Sequence, residues 1–459
     1  MLNDVLQTLA GRKYQSLAKL KEFLAIPSVS AKPDHAIEVR RCADWLANEL
    51  RFAAMEASVM DTAGHPVVVA KNKHVPGRPT VLLYGHYDVQ PPEPLDLWTS
   101  PPFEPTVRDD GTGHEALYAR GSVDDKGQVW AHVEAITAWQ AHGGVPVNLT
   151  VLIEGEEEVG SPNLLPFLKQ YKDQLRADVC LISDTGMVDR TTPAIDYGLR
   201  GLVYAEIELT GPSHDLHSGS FGGAAPNPAN ALCALIASLH DADGRVNIPG
   251  FYDDVLVPSP REKELMAKVT FDEKKWLKGI NVPAPIGEKG YSIYEKITVR
   301  PTLDVNGITA GYQGAGAKTV IASKASAKLS MRLVPNQDPE KIRAAFEKTI
   351  RDRTPGQYKL EIHYHGTSAA FLTPVEGKPI ECASAAIRKV WEKDPVFTRG
   401  GGTIPVGAWI KQTLGCDCVF VGFGLDDDRA HSPNEKFDLL CFYNGQRTAA
   451  ALYEAFARM

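Results

Sequence analysis

The sequence predicts an α/β domain interrupted by an inserted α+β domain, and three observations carry that reading. Short β-branched runs alternate with helical stretches through residues 1–197. From 198 to 370 strands and helices segregate, and from 371 to 459 the α/β pattern resumes. Alternation implies a sheet covered by helices, and segregation implies a smaller sheet with helices on one side.

Taken in order, the first 26 residues read as a helix, with Leu9, Leu17, Leu20 and Leu24 among the candidates for its buried side, ending before Pro27. A second helix spans His35 to Leu50. The strands Val67 to Ala70, Thr80 to Tyr84, Leu149 to Ile153 and Val179 to Ile182 follow, with a helix at Gln128 to Ala141 that places Val129, Val133 and Ile136 on one face. In the insertion, Val203 to Leu209, Ala327 to Leu333 and Tyr358 to Tyr364 read as strands, Asn227 to His240 and Pro339 to Asp352 as helices. The stretch Asp241 to Ile297, rich in Pro, Gly and charge, yields no placement. A helix near Ile380 to Trp391, a strand Cys418 to Gly422 and a terminal helix ending at Met459 complete the chain.

Composition narrows the function. Hydrophobic residues make up 43% and charged residues 23% of 459 positions, ordinary for a globular chain of two or three domains. The 49 lysines and arginines against 57 acids give a net charge of −8, without the basic stripes that nucleic acid or an anionic membrane demands. No apolar run suggests a membrane span, and the charged start at Met1 to Leu24 lacks a signal peptide's apolar core. The expected location is the cytoplasm. Seven scattered cysteines match neither a disulfide framework nor a zinc finger, so buried reduced thiols are expected.

Five stretches gather acids and histidines at predicted strand ends, where open α/β sheets place their ligands. In Tyr84-Gly85-His86-Tyr87-Asp88, two-residue spacing points His86 and Asp88 to one side, and Asp88 could orient the imidazole of a metal ligand. Ala119 to Gly127 carries Asp124 and Asp125 before a helix, which by itself could be only a cap. In Glu154-Gly155-Glu156-Glu157-Glu158, four acids within five positions at the end of a buried strand repel one another unless a cation neutralises them. Ser183-Asp184 and Ala430-His431-Ser432-Pro433-Asn434-Glu435 are the remaining two. Each alone is equally a surface turn.

Together they resemble the dinuclear-zinc metallopeptidases that include cytosolic dipeptidases, carnosinase, aminoacylase, acetylornithine deacetylase and succinyl-diaminopimelate desuccinylase. The resemblance spans almost the whole chain and is strongest to the dipeptidases, through Gly85-His86-Tyr87-Asp88-Val89-Gln90, Asp124-Asp125-Lys126-Gly127, His217-Ser218-Gly219 and Ala430-His431-Ser432. It implies a catalytic domain with a zinc-peptidase-like sheet and an inserted lid and dimerisation domain. It implies two divalent ions, zinc first with manganese or cobalt as alternatives: His86 and Asp184 on one, Glu158 and His431 on the other, Asp124 bridging. Asp88 would orient His86, Glu157 would be the general base, and the Asp124–Asp125 peptide would be cis, with Asp125 no ligand. Three carboxylates and a hydroxide would balance the four positive charges, and three protein groups per ion leave each an open position.

The same resemblance makes His217 an oxyanion stabiliser donated across a homodimer, and places Thr319 and Arg332 on the substrate's C-terminal carboxylate. Thr403, before a helix whose N-terminal amides can receive an anion, stands where dipeptidases carry Ser, and Gly400 where they often carry Glu. The expected activity is hydrolysis of dipeptides or short peptides with a free C-terminal carboxylate. An N-acyl amino-acid deacylase is the alternative within the enzyme class, and a catalytically silent binding protein is the distant one, disfavoured because all five ligand positions and Glu157 are present. Gly314 to Thr319 imitates a phosphate loop, but Ala317 replaces the glycine before the lysine. His363 and His365 share a strand face without an acid cluster and read as structural, with one of them reaching the active-site cleft as the lesser alternative.

Overall fold

Four parallel strands with apolar residues on both faces form the spine of the larger domain: Thr80–His86, Asn148–Glu154, Val179–Ile182 and Asp417–Phe420. The computed structural model describes residues 1–402 and 405–459. Burial on both faces is why these runs read as continuous rather than alternating hydrophobic stretches. Alternate residues serve different cores. Val81, Leu83, Val151 and Leu181 pack with the helices Ala36–Phe52, Lys126–Gln140, Lys378–Trp391 and Leu439–Phe456, whereas Leu82, Tyr84, Leu152 and Ile182 pack with Leu164–Gln170 and Pro405–Leu414. Antiparallel strands Glu56–Met60 and Val67–Lys71 extend one side of the sheet, and Ala194–Leu199, Phe371–Leu372 and Val396–Gly400 the other.

The chain leaves this sheet at Arg200 and enters an antiparallel sheet ordered Thr302–Ala310, Lys324–Leu333, Gly201–Thr210, Lys359–Ser368. Gly201–Thr210 alternates buried and half-buried residues, its buried face covered by the helices Pro228–Ala237 and Pro339–Arg353. Asn227 and Asp338 cap those helices, each before a proline at the first helical position. The departing and returning chains run side by side: a side chain at Gly201 would meet the Ser368 oxygen at 2.5 Å, so only glycine fits.

Several expectations are revised. The first helix is two, Leu2–Gly11 and Lys13–Leu24, divided at Arg12. The unplaced stretch contains the short helices Pro260–Met266, Glu273–Gly279 and Ile293–Thr298, two of them opened by capping boxes at Ser259 and Ser292. A three-stranded sheet of Thr106–Asp109, Glu115–Tyr118 and Lys436–Asp438 had no sequence signal, its strands being only three or four residues long. The helix Lys126–Gln140 is buried all round, Lys126 included, whose Nζ donates to the Phe23 and Ile26 oxygens at 3.1 and 2.7 Å. Among the described residues no helix is long and apolar enough to cross a membrane.

Candidate metal centre

The carboxyl ends of the four parallel strands converge on one cleft of about 650 Å³. His86 ends its strand, Glu157 and Glu158 occupy a 3₁₀ turn just beyond Glu154, Asp184 stands two residues beyond Ile182, and His431 lies in the loop after Phe420. Asp124 reaches in from the loop before the helix Lys126–Gln140. Its Oδ1 is 3.2 Å from His86 Nε2 and its Oδ2 is 2.9 Å from His431 Nε2, so a single carboxylate meets both imidazoles. Asp184 Oδ1 is 3.9 Å from His86 Nε2, and Glu158 Oε2 is 3.1 Å from His431 Nε2.

The donor set fits two cations. His86 Nε2 is buried and among the described residues has no hydrogen-bond partner although Asp124 is close, so ring nitrogen and carboxylate oxygen converge without bonding each other. Burial opposes charge on His86, but Asp124, Asp184 and Asp88 outweigh it and push its pKa well up. Asp124 and Glu158 push His431 up to about 10. These carboxylates thus call for positive charge at both imidazoles, which a divalent ion at each would supply with the rings neutral. Burial, then Asp184, Glu158 and Asp124, push the Glu157 carboxyl well above the usual range, even against His86.

Asp125 needs separate account. The Asp124–Asp125 peptide is cis. Asp125 Oδ2 accepts the His86 backbone N–H at 3.2 Å, its Oδ1 is buried without a partner, and it can group with His86 and Asp184 around an ion, as Asp124, Glu158 and His431 can around another. Asp124 nonetheless is the acid that reaches both histidines.

The supporting contacts go beyond the sequence motifs. His86 Nδ1 faces the Asp88 backbone oxygen at 3.1 Å and Asp88 Oδ1 at 3.4 Å. The Asp88 carboxylate also accepts the Glu157 and Glu158 amides at 3.2 and 3.1 Å, so one residue ties the two loops together. Gln90 Nε2 donates to Glu158 Oε2 at 2.8 Å. Glu435, quoted above within its motif but given no role, is fully buried and pins the Asp124 loop through Arg120 and three amides.

Arg332 lines the cleft with Asp124, Glu157, Asp184 and His431. Arg200, which sequence reasoning passed over, lies near it: burial and the neighbouring Arg332 lower the Arg200 pKa to about 10, with Asp304 working the other way. Arg200 Nε donates to the Gly401 oxygen at 2.9 Å, so Arg200 braces the glycine-rich wall of the cleft that Arg332 lines, while itself lining a neighbouring cavity with Arg300 and Asp304. Gly400 lines the cleft too, whereas Thr403 lies outside the described residues. The formerly unplaced stretch supplies a wall: Phe271 and Tyr294 face the cleft, and the Arg399–Glu262 ion pair ties the helix Pro260–Met266 to the strand Val396–Gly400. His217 is exposed, its Nδ1 accepting the Gly219 amide at 3.1 Å, and Thr319 lies beside it through a Ser218 N–H bond to its oxygen at 3.0 Å. Neither is among the residues lining this chain's own cleft.

Comparison with known proteins adds a separate line of support. The model for "Peptidase family M20/M25/M40" matches residues 82–455. The Cys-Gly metallodipeptidase DUG1 of Candida albicans is 33% identical over 471 residues, covering 97% of this chain and 96% of that protein. The structure of the di-peptidase Dug1p from Saccharomyces cerevisiae superposes with a TM-score of 0.87 at 29% identity, covering 100% of this chain and 99% of the other. The M20 family metallo-carboxypeptidase Sso-CP2 from Sulfolobus solfataricus gives 0.88 at 32% identity, covering 97% and 99%.

Proposed function

The chain belongs to peptidase family M20/M25/M40, and on that premise we propose how its residues share the work of cleaving a dipeptide. It is a metal-dependent hydrolase of peptide bonds and a dipeptidase. The observation that carries the assignment of roles is the convergence of His86, Asp124, Asp184, Glu158 and His431 on one cleft that Glu157 also lines. In this reading His86 and Asp184 hold one ion, Glu158 and His431 the other, and Asp124 both. Zinc is the proposed metal, with manganese or cobalt able to replace it in a carboxylate-rich site. Such ions supply Lewis acidity, polarising a carbonyl and acidifying water.

The chain's own residues do the rest. Glu157, which lines the cleft beside Asp124 and Asp184, removes the proton from the attacking water and later delivers it to the leaving amine nitrogen. Asp88 fixes His86 and, through the amides of 157 and 158, fixes the base relative to the ligands. Arg332, with Arg200 beside it, holds the substrate's terminal carboxylate, for which a planar guanidinium offers paired donors. Thr403 is proposed to share that carboxylate, and so is Thr319, which lies beside His217 and like it would reach the site from the partner subunit.

His217 is proposed to stabilise the oxyanion in the partner's site, with residues 198–370 acting as lid and dimerisation domain of a homodimer. Its exposure and its absence from the cleft of its own chain support donation in trans. Seven free cysteines, six of them buried, support a reducing, cytoplasmic setting. The test is a panel of dipeptides and N-acyl amino acids assayed with zinc, manganese or cobalt. Turnover of dipeptides with a free carboxylate, lost on amidation, is expected; exclusive turnover of N-acyl amino acids would overturn the reading.

A further inference from the structure

The cleft holds two acids that hydrolysis does not use. Asp196, on the strand Ala194–Leu199, lines the cleft and is only 8% exposed, its Oδ1 accepting the Thr398 hydroxyl at 2.7 Å. Asp426 lines the same cleft from the loop after Phe420. Among the described residues neither carboxylate has an ion-pair partner within 4.0 Å; the nearest influence is the field of Lys275 on Asp426. The Thr185 hydroxyl lies against Asp196, yet it is buried without a well-aligned hydrogen bond. Burial pushes both carboxyls up, helped by Asp426 at Asp196 and by Asp427 at Asp426. Carboxylates in such a place lack the counter-charge that buried ions need.

We propose that Asp196 and Asp426 form a side-chain subsite that selects dipeptides whose acyl residue ends in an ammonium or guanidinium group. This inference rests on the dipeptidase reading above. The apolar wall beside the acids supports it: Phe271 and Tyr294, with ring centroids 5.7 Å apart, line the cleft together with Met187, Val188 and Val269. An alkyl stem can lie on that wall while its charged head reaches the acids. A metal ion is a poorer occupant, because among the described residues both groups able to hold one are in the centre described above.

The α-ammonium of the acyl residue is also a poorer occupant. It sits two bonds from the scissile carbonyl carbon and therefore next to the metal ligands. Asp196 instead bonds Thr398, and neither of the two strands that carry them holds one of the converging acids and histidines of the metal centre. Because Arg332 is proposed to take the carboxylate of the leaving residue, the acyl residue is the one left to supply a cation to Asp196.

The test measures kcat/KM of the metal-loaded enzyme for Lys-Ala, norleucyl-Ala, Glu-Ala and Ala-Lys. Lys-Ala should exceed norleucyl-Ala and Ala-Lys by at least about tenfold, roughly one charge-assisted hydrogen bond, with Glu-Ala poorest. Asp196→Asn and Asp426→Asn should each bring the Lys-to-norleucine ratio toward one while two metals stay bound. A wild-type ratio near one, or a ratio that survives both substitutions, overturns the proposal. So does an equal loss on Lys-Ala and norleucyl-Ala, which would assign the acids to the α-ammonium. If Asp196→Asn fails to fold, Asp426→Asn, on a separate loop, decides alone. If the wild type cleaves no dipeptide, the dipeptidase reading falls by itself. The subsite is then judged by calorimetry with lysinamide and norleucinamide: tighter lysinamide binding lost in Asp426→Asn supports it, and equal affinities overturn it.

Discussion

Replacing Glu435 tests whether one buried carboxylate holds the proposed metal-binding loop in place. Its Oε2 accepts Arg120 Nη1 at 2.7 Å and the Gly121 amide at 2.9 Å; its Oε1 accepts the Val123 and Asp124 amides at 3.0 and 3.2 Å. Arg120 is 1% exposed, so Glu435→Ala leaves a buried guanidinium without its partner. That loss costs about 3–5 kcal/mol, and each amide left unsatisfied adds about 1–3 kcal/mol. The ion-pair part alone lowers the unfolding midpoint by roughly 6–20 °C, at about 2–4 °C per kcal/mol. Because the Asp124 amide is one of the bonds lost, metal affinity should fall as well, by about 10–100-fold. Near-UV circular dichroism on heating reads the first effect and chelator competition for zinc the second. The pair Arg120→Met with Glu435→Gln leaves no charge buried there and should melt above Glu435→Gln alone. If Glu435→Ala melts within about 2 °C of the wild type, less than 1 kcal/mol is at stake. Coupled with unchanged zinc affinity, that result refutes the loop-anchoring argument.

Three further outcomes are expected. Asp124→Ala should abolish activity and reduce bound metal to one ion or none, whereas Asp125→Asn should be far milder; metal analysis and turnover check both. Glu157→Gln should keep two metals and lower kcat by at least about 10²-fold, while Glu158→Gln should weaken binding of the ion beside His431; the opposite pattern would shift the register of the acidic run by one. Mixing His217→Ala with Glu157→Ala under subunit exchange should restore roughly a quarter of wild-type activity, since half of randomly paired dimers are mixed and each carries one intact site of two. No recovery in the purified heterodimer would remove His217 from the partner's site.

What could be read from the sequence was local. His86, Asp184 and the acidic run follow apolar strands directly, and strand ends are where such sheets collect ligands, so their convergence needed only the right strand order. Contacts between distant segments left no such mark. Glu435 meets Arg120 across 315 positions, and nothing in either segment names the other. Asp196 sits in a six-residue strand buried along its length, where a lone acid looks like an interruption of the apolar pattern. The segment carrying Phe271 and Tyr294 has helices of six and seven residues, too short for a 3.6-residue period to stand out, although its two capping boxes were there to be seen.

The acidic run shows why composition and register are different kinds of information. Glu156, Glu157 and Glu158 are consecutive and chemically identical, so charge alone cannot rank them. The fold ranks them by backbone direction. Glu156 is spent on structure, its carboxylate accepting the His65 amide and the Asn163 side chain. The chain then turns through the 3₁₀ segment Glu157–Val159, where successive side chains diverge by about a third of a turn. Asp88 holds that turn by both amides, fixing the direction in which each side chain leaves. Glu158 therefore meets His431 and Gln90, while Glu157 faces the cleft, where among the described residues no side-chain hydrogen bond ties its carboxylate. A ligand needs fixed partners, and a base needs a lone pair turned toward substrate. Asp88, two residues beyond a histidine on another strand, is what would let those two requirements fall on adjacent glutamates under the proposed roles.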